Sequence, residues 1–288
     1  MSGPTQATPA GAVEAQARRV FGERAASYVT SATHADPEVL ARVVELALGG
    51  DTGIVAVGAA GALPLGVPPA TPAMSSAMVL DVGTGTGHTA FALAPHAALV
   101  IGLDLTPEML DEAARLRRRR GLANVALEVG DVHDLNFPDA AFDAVTCRRA
   151  AHHFSDIGRA IPEMARVLKP GGRLVIDDRS VPEDDFLDAT MQRLDTLHDP
   201  SHVRQYRPGE WRGMLEAAGL VVDVVEPYTQ HRPLTSLTAG VPAADVAEIE
   251  RIVAGLAPER RAAMNVEERD GQTWTDHWYV LVRARRRA

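Results

Sequence analysis

Three glycines at alternate positions follow a short apolar run in VLDVGTGTGHTA, Val79 to Ala90. Gly83, Gly85 and Gly87 allow positive φ and close backbone approach to a ligand, so the segment reads as a strand, a tight turn and the start of a helix. Downstream of Met78, short apolar runs alternate with helical patterns, as in strand-helix-strand units stacked on a parallel sheet. MVLDVG, ALVIGLDL, VALEVGD, FDAVTCRR and RLVIDD are the five expected strands. Thr106 and Pro107 start a helix that ends in the run Arg117 to Arg120 before Gly121, and another helix runs from near Ser155 to KPGG, Lys169 to Gly172. A helix from Pro208 to Ala218 leads to the apolar strand GLVVDVVEP, and a helix near Ala243 to Leu256 precedes the β-rich TWTDHWYVLVRA. The class is α/β, with a Rossmann-like doubly wound sheet.

Ahead of the first strand the reading divides the chain into a flexible tail over 1–15, an N-terminal helical cap with a Gly/Pro-rich loop over 16–75, and a core over 76–288. One cap helix runs from Val13 to Tyr28; in DPEVLARVVELALGG, Asp36 caps a second that Gly49 and Gly50 end. The apolar stretch GIVAVGAAGALPLGVPPA is broken by glycines and prolines, so it reads as a loop and no membrane partner is expected. The N-terminus lacks the apolar core of a signal peptide, and the single cysteine, Cys147, forms no intrachain disulfide; both suit a cytoplasmic location. Cys147 reads as a small buried hydrophobe. A formal net charge of −9 repels phosphate backbones, and the run RLRRRR reads as a solvated helix end, so no nucleic-acid partner is expected.

The glycine turn alone could be an ordinary tight turn. Asp104, however, ends the second strand 21 residues after Gly83, where a doubly wound fold places the acid that accepts from ribose hydroxyls. Asp131 at the end of the third strand could accept from an adenine amine, with Val132 packing on the ring. The last glycine of a dinucleotide fingerprint is replaced by His88, which disfavours a pyrophosphate and so a nicotinamide cofactor.

These motifs, with IGLDLTPEML, LEVGDVHDLNFPDAAFDAVTCRRAAHHFSD and EMARVLKPGGRLVIDD, resemble the class I S-adenosylmethionine-dependent methyltransferases of the type 11 group, similar to the ubiquinone and menaquinone C-methyltransferases. The resemblance implies a sheet of seven strands with the last antiparallel, and S-adenosylmethionine as methyl donor. It implies that Asp81 orients the glycine turn and that Gly83, Thr84, Gly85 and Gly87 approach the methionine part. Asp104 would bind the ribose, Leu105 would pack on the adenine, and Asp131 with Val132 would hold its rim. Arg148 and Arg149 would border the methionine and the substrate, with Tyr28 and His34 covering the cofactor.

A sulfonium methyl is already activated, so alignment and exclusion of water are the main demands on the protein. His153, and next His34, are the candidate bases for a hydroxyl acceptor; both His152 and His153 could equally cap or pack the following helix. His152, Asp178, Arg204 and Tyr206 are expected on the substrate side. Asp177 and Asp178 are too few ligands for a hard cation, so no metal is assigned. The expected function is methyl transfer to a carbon or oxygen of a small aromatic or polyketide-like acceptor. Open alternatives are a non-methylating decarboxylase or cyclase that keeps the cofactor, and a non-catalytic cofactor-binding partner protein. An apolar cap face would also serve a homodimer.

Overall fold

The computed structural model describes residues 10–29, 31, 34–49 and 76–288. The segment over 50–75 and the first nine residues lie outside the described residues. The elements are α1 (Ala10–Tyr28), α2 (Pro37–Leu48), β1 (Met78–Val82), α3 (His88–Leu93), β2 (Leu99–Asp104), α4 (Pro107–Arg120), β3 (Val125–Val129), β4 (Phe142–Arg148), α5 (Ile157–Val167) and β5 (Leu168–Arg179). There follow α6 (Asp185–His198), α7 (Pro208–Ala217), β6 (Leu220–Pro233), α8 (Thr235–Thr238), α9 (Ala243–Ala254), α10 (Pro258–Ala263), β7 (Glu267–Arg269) and β8 (Gln272–Arg286).

The sheet order is β3-β2-β1-β4-β5-β8-β6, with short β7 paired to β8. Strands β1 to β5 are parallel, and β8 runs antiparallel to both β5 and β6. Alternation along each strand divides the core between two faces. Leu80, Val82, Val145, Cys147 and Ile176 pack on one side with α5 and with Trp211 and Leu215 of α7. Val79, Val100, Ala144 and Val175 pack on the other with residues of α2, α3 and α4. Covering both faces is what permits near-continuous apolar central strands.

Several boundaries differ from the expectation. Helix α1 begins at Ala10, inside the stretch read as a tail. Helix α2 is not a cap: Val43, Leu46, Ala47 and Leu48 are buried against the sheet because its apolar stripe matches one open face of the strands. Helix α5 stops at Val167, since Pro170 disfavours helical backbone at Lys169, and KPGG opens β5 instead. Helix α6, capped by Asp184 accepting from the Leu187 amide at 2.8 Å, stands where no element was expected. It packs with α8 and α9 through Leu187, Met191, Leu194, Leu237, Ile249 and Val253 into a third cluster. This lobe sits on the far ends of long β6 and β8, so capping structure comes from the C-terminal half as well.

The link between β1 and α3 is fixed from below. Asp81 is 1% exposed and accepts the Thr84 hydroxyl at 2.6 Å and the Thr146 hydroxyl at 2.7 Å. Register places Thr146 and Gly102 on either side of Asp81, and a Cβ at Gly102 would come within 2.9 Å of the Thr84 hydroxyl. Gly83 and Gly85 have φ of 65° and 55°. They differ in room: a Cβ at Gly83 would collide with the Ala150 Cβ, whereas one at Gly85 would meet nothing within 4 Å. Denaturant unfolding should therefore show Gly83→Ala destabilised by about 3 kcal/mol, from left-handed backbone plus overlap, and Gly85→Ala by about 1 kcal/mol. Equal losses would contradict this account of the turn.

Candidate active site

The carboxyl ends of β1 to β4 surround a cleft, the place where doubly wound sheets bind ligands. Gly83, Thr84 and Gly85 form one wall; Asp104 and Leu105 follow from β2, and Asp131 and Val132 from the loop after β3. Asp104 shapes that wall, accepting the Gly85 amide at 2.7 Å on one oxygen and the Thr106 amide at 2.9 Å on the other. Burial raises its pKa, opposed by those amide donors. Asp131 is 40% exposed at its side chain and accepts both the His133 amide at 2.9 Å and the His133 Nδ1 hydrogen at 2.6 Å through one oxygen. Arg148 and Arg149 border the cleft after β4, and Tyr28, His34 and Phe21 close it from the N-terminal side.

Gly87, expected to approach the methionine part, does not line the cleft, and neither does Asp81, the residue expected to orient the turn. Asp81 is sealed beneath the turn by its threonines, with burial raising its pKa to about 6. Gly87 faces the Phe91 ring at the start of α3. Their part is to hold the loop. The sequence reading missed Glu14 and His133, which also line the cleft. Glu14 Oε2 is buried with no hydrogen-bond partner. Nothing local in its sequence marks Glu14; only the packing of α1 across the strand ends brings it there.

A second cavity shares Tyr28, His34, Arg149 and His153 with the cleft. His152, His202, His198 and His277 line it with Arg179, Arg232 and Tyr279. His152 is backed by buried Asp178, which accepts its Nδ1 hydrogen at 2.5 Å and its amide at 2.9 Å. Burial and the neighbouring His153, His202 and Arg179 hold His152 well below the usual histidine range, so it is neutral with Nε2 as its lone-pair nitrogen. Its ring lies 3.9 Å from that of His153. The His153 Nδ1 donates to the Ser201 carbonyl at 3.1 Å, which also leaves Nε2 as acceptor.

Not all of the expected substrate-side residues reach either cavity. Asp178 stands behind His152 and is fully buried. Arg204 pairs with Asp188 at 2.6 Å and Glu210 at 3.1 Å, tying the post-β5 segment to α6 and α7. Tyr206 packs edge-on against buried Trp211, with ring centroids 5.3 Å apart. Both act as braces because α6 supplies carboxylates, and α7 an aromatic wall, that the sequence pattern did not locate.

Between the cavities the charges are densely paired. Asp177 receives Arg148 at 3.2 Å, Arg149 at 3.3 Å and the Tyr228 hydroxyl at 2.7 Å. Arg149 sits at φ 53°, an unusual backbone for a non-glycine residue, held by its amide bond to the Asp177 carbonyl at 2.8 Å. Register puts Tyr279 of β8 between Arg179 of β5 and Tyr228 of β6. The Arg149 guanidinium lies 3.6 Å from the Tyr279 ring centroid. Against the effect of burial, Arg179, Arg149 and Arg232 lower the Tyr279 pKa to about 8.

A family model described as a methyltransferase domain matches residues 80–176. Over 150 residues the chain is 44% identical to YcgJ of Bacillus subtilis (strain 168), an uncharacterized methyltransferase, covering 52% of this chain and 59% of that protein. The crystal structure of YcgJ superposes with a TM-score of 0.71 at 34% identity, covering 74% of this chain and 93% of that one. The uncharacterized protein YafE of Escherichia coli (strain K12) is 40% identical over 141 residues, 49% of this chain and 68% of its own length. A demethylmenaquinone methyltransferase of Deinococcus radiodurans is 45% identical over 106 residues, 36% of this chain and 44% of that protein.

The chain has four tyrosines, and their surroundings separate them. Burial pushes Tyr28 and Tyr206 up to about 12, and burial beside Asp177 pushes Tyr228 up as well. An alkaline titration of tyrosinate absorbance should therefore show one tyrosine ionising near pH 8 and three at much higher pH, with the early step absent from Tyr279→Phe. Because the folded value of about 8 lies below the ordinary 10, this group's stabilisation grows between pH 8 and 10 and is absent below 8. A titration without the early step would remove the three-arginine account.

Proposed function

The chain belongs to the class I methyltransferases, and on that premise we propose that it transfers a methyl group from S-adenosylmethionine to an oxygen or carbon of a small, oxygen-rich aromatic acceptor. The observation that carries the reading is the junction of two cavities: one with a glycine turn and carboxylates at successive strand ends, the other rich in imidazoles, joined at His153.

The residues of the cleft fit the nucleoside. Asp104 accepts the Gly85 amide on one oxygen and the Thr106 amide on the other, and its remaining lone pairs would serve ribose hydroxyls. Asp131 keeps an oxygen beside Val132, and the partnerless Glu14 Oε2 adds a second acceptor in the cleft for an exocyclic amine. Gly85 leaves open space where a side chain would intrude. Leu105 and Val132 offer apolar faces for the base, and Arg148 a cation for the amino-acid carboxylate. When bound, S-adenosylmethionine supplies a methyl group on a positively charged sulfur.

The rest of the chemistry falls to the protein. Tyr28, Phe21 and His34 cover the cleft and exclude water, strengthening electrostatic interactions inside. His153 borders both cavities, and its Nε2 would take the proton from an acceptor hydroxyl. His152, oriented by Asp178, packs against His153 at a tilt of 45° and keeps that ring in place. The second cavity has Leu237 as its one aliphatic side chain among the described residues, which favours a polar aromatic acceptor over a long polyketide chain.

Calorimetric titration with S-adenosylmethionine and S-adenosylhomocysteine tests the cleft. Both should saturate, and Asp104→Ala should weaken both by about tenfold or more, the scale of hydrogen bonds to a charged group. Unchanged affinity in a folded variant would overturn the site assignment. His153→Ala should keep the affinity for S-adenosylhomocysteine while product formation, followed as the mass of one added methyl, falls about a hundredfold. Retained turnover would remove His153 as the base.

A further inference from the structure

In the second cavity Arg149 after β4, Arg179 of β5 and Arg232 of β6 set three guanidinium groups around the ring of Tyr279 on β8. Arg149 lies over Tyr279 and is paired with Asp177 at 3.3 Å. Arg179 lies 5.5 Å from the same ring centroid and is paired with Asp195. Arg232 completes the set. Its Nη1 reaches the Tyr279 hydroxyl at 3.4 Å, and it has no ion pair among the described residues. The other acid lining the cavity, Asp199, faces Arg24 at 3.5 Å and accepts from Ser201 at 2.6 Å. Two of the three cations thus have a carboxylate partner, Asp177 being shared with Arg148, and the third is half-buried without one.

We infer that the acceptor carries an anionic oxygen group, a carboxylate or a phosphate, and that Arg232 holds it within the second cavity. The inference rests on the methyl-transfer reading only in naming the second cavity as the acceptor side. A half-buried guanidinium loses part of its hydration, which a ligand anion can replace with a short charge-assisted bond of good geometry. Burial, together with Arg179 and Arg232, holds His277 well below the ordinary histidine range, and the three arginines draw Tyr279 toward its phenolate against the effect of burial. Overall charge is −9, so this positive wall is a local feature set against the field of the whole molecule. Its polar neighbours extend the recognition: Ser236 Oγ lies 3.4 Å from His277 Nε2 on the same cavity. An anion seated at Arg232 would leave His152 and His153 free to face the reacting hydroxyl or carbon.

The test uses the full chain, with and without S-adenosylhomocysteine, titrated calorimetrically with benzoate, phenyl phosphate and neutral benzamide. At least one anion should bind about tenfold more tightly than benzamide, the size of a hydrogen bond to a charged group. The tighter of the two identifies carboxylate or phosphate as the group recognised. Arg232→Gln should abolish the preference and Arg232→Lys should retain most of it, with both variants matching the parent in unfolding midpoint and S-adenosylhomocysteine affinity. Equal binding of benzamide, a preference that survives in Arg232→Gln, or no saturation by either anion at millimolar concentration would overturn the inference. Loss of S-adenosylhomocysteine binding would count instead against the methyl-transfer reading, because the titrations without the nucleoside stand by themselves.

Discussion

The buried carboxylate of Asp81 is the constraint on which the rest of the site depends. It lies on the central strand, accepts one hydroxyl from the glycine turn and one from the neighbouring strand, and so locks a loop in positive φ to the rigid part of the sheet. A buried acid without those donors would be costly, and the loop without that anchor would not keep Gly85 against Asp104. The first cleft is therefore built outward from one residue that does not line it.

From this anchor the two cavities acquire different characters. The first is walled by backbone and carboxylates at strand ends and closed by aromatics of the N-terminal segment, which suits a nucleoside with a flat base and paired hydroxyls. The second is walled by long side chains from β5, β6, β8 and α6, where cations and imidazoles outnumber acids. Their shared residues, His153 and Arg149 among them, mark where a transferred group would cross. On the proposed reading, methyl donation would fall to the first cavity and proton removal to His153 at the partition itself.

The sequence made the first cavity legible and left much of the second obscure. Gly83, Gly85, Asp104, Asp131 and Val132 occupy fixed offsets within strand-turn-helix units, and local chain geometry alone carries them to one place. Arg204 and Tyr206 were misassigned because their roles depend on α6 and α7, whose partners come from distant parts of the chain. Glu14, Arg232 and Tyr279 carry no local signature. Their positions follow from the packing of α1 over the strand ends and from the long antiparallel β6 and β8, whose register no short motif encodes. Even α2, whose cap residue and helix ends were readable, was placed in the wrong layer, since an apolar stripe says that a helix packs but not against what.

The lobe of α6, α8 and α9 has its own apolar cluster and hangs on the ends of β6 and β8 beyond the central strands. Such a unit can open or be remodelled at a local cost while the parallel strands stay intact. If the second cavity holds the acceptor as proposed, selectivity for the acceptor and retention of the donor would be separable heritable traits, since changes that rebuild the lobe would leave the glycine turn and Asp104 undisturbed.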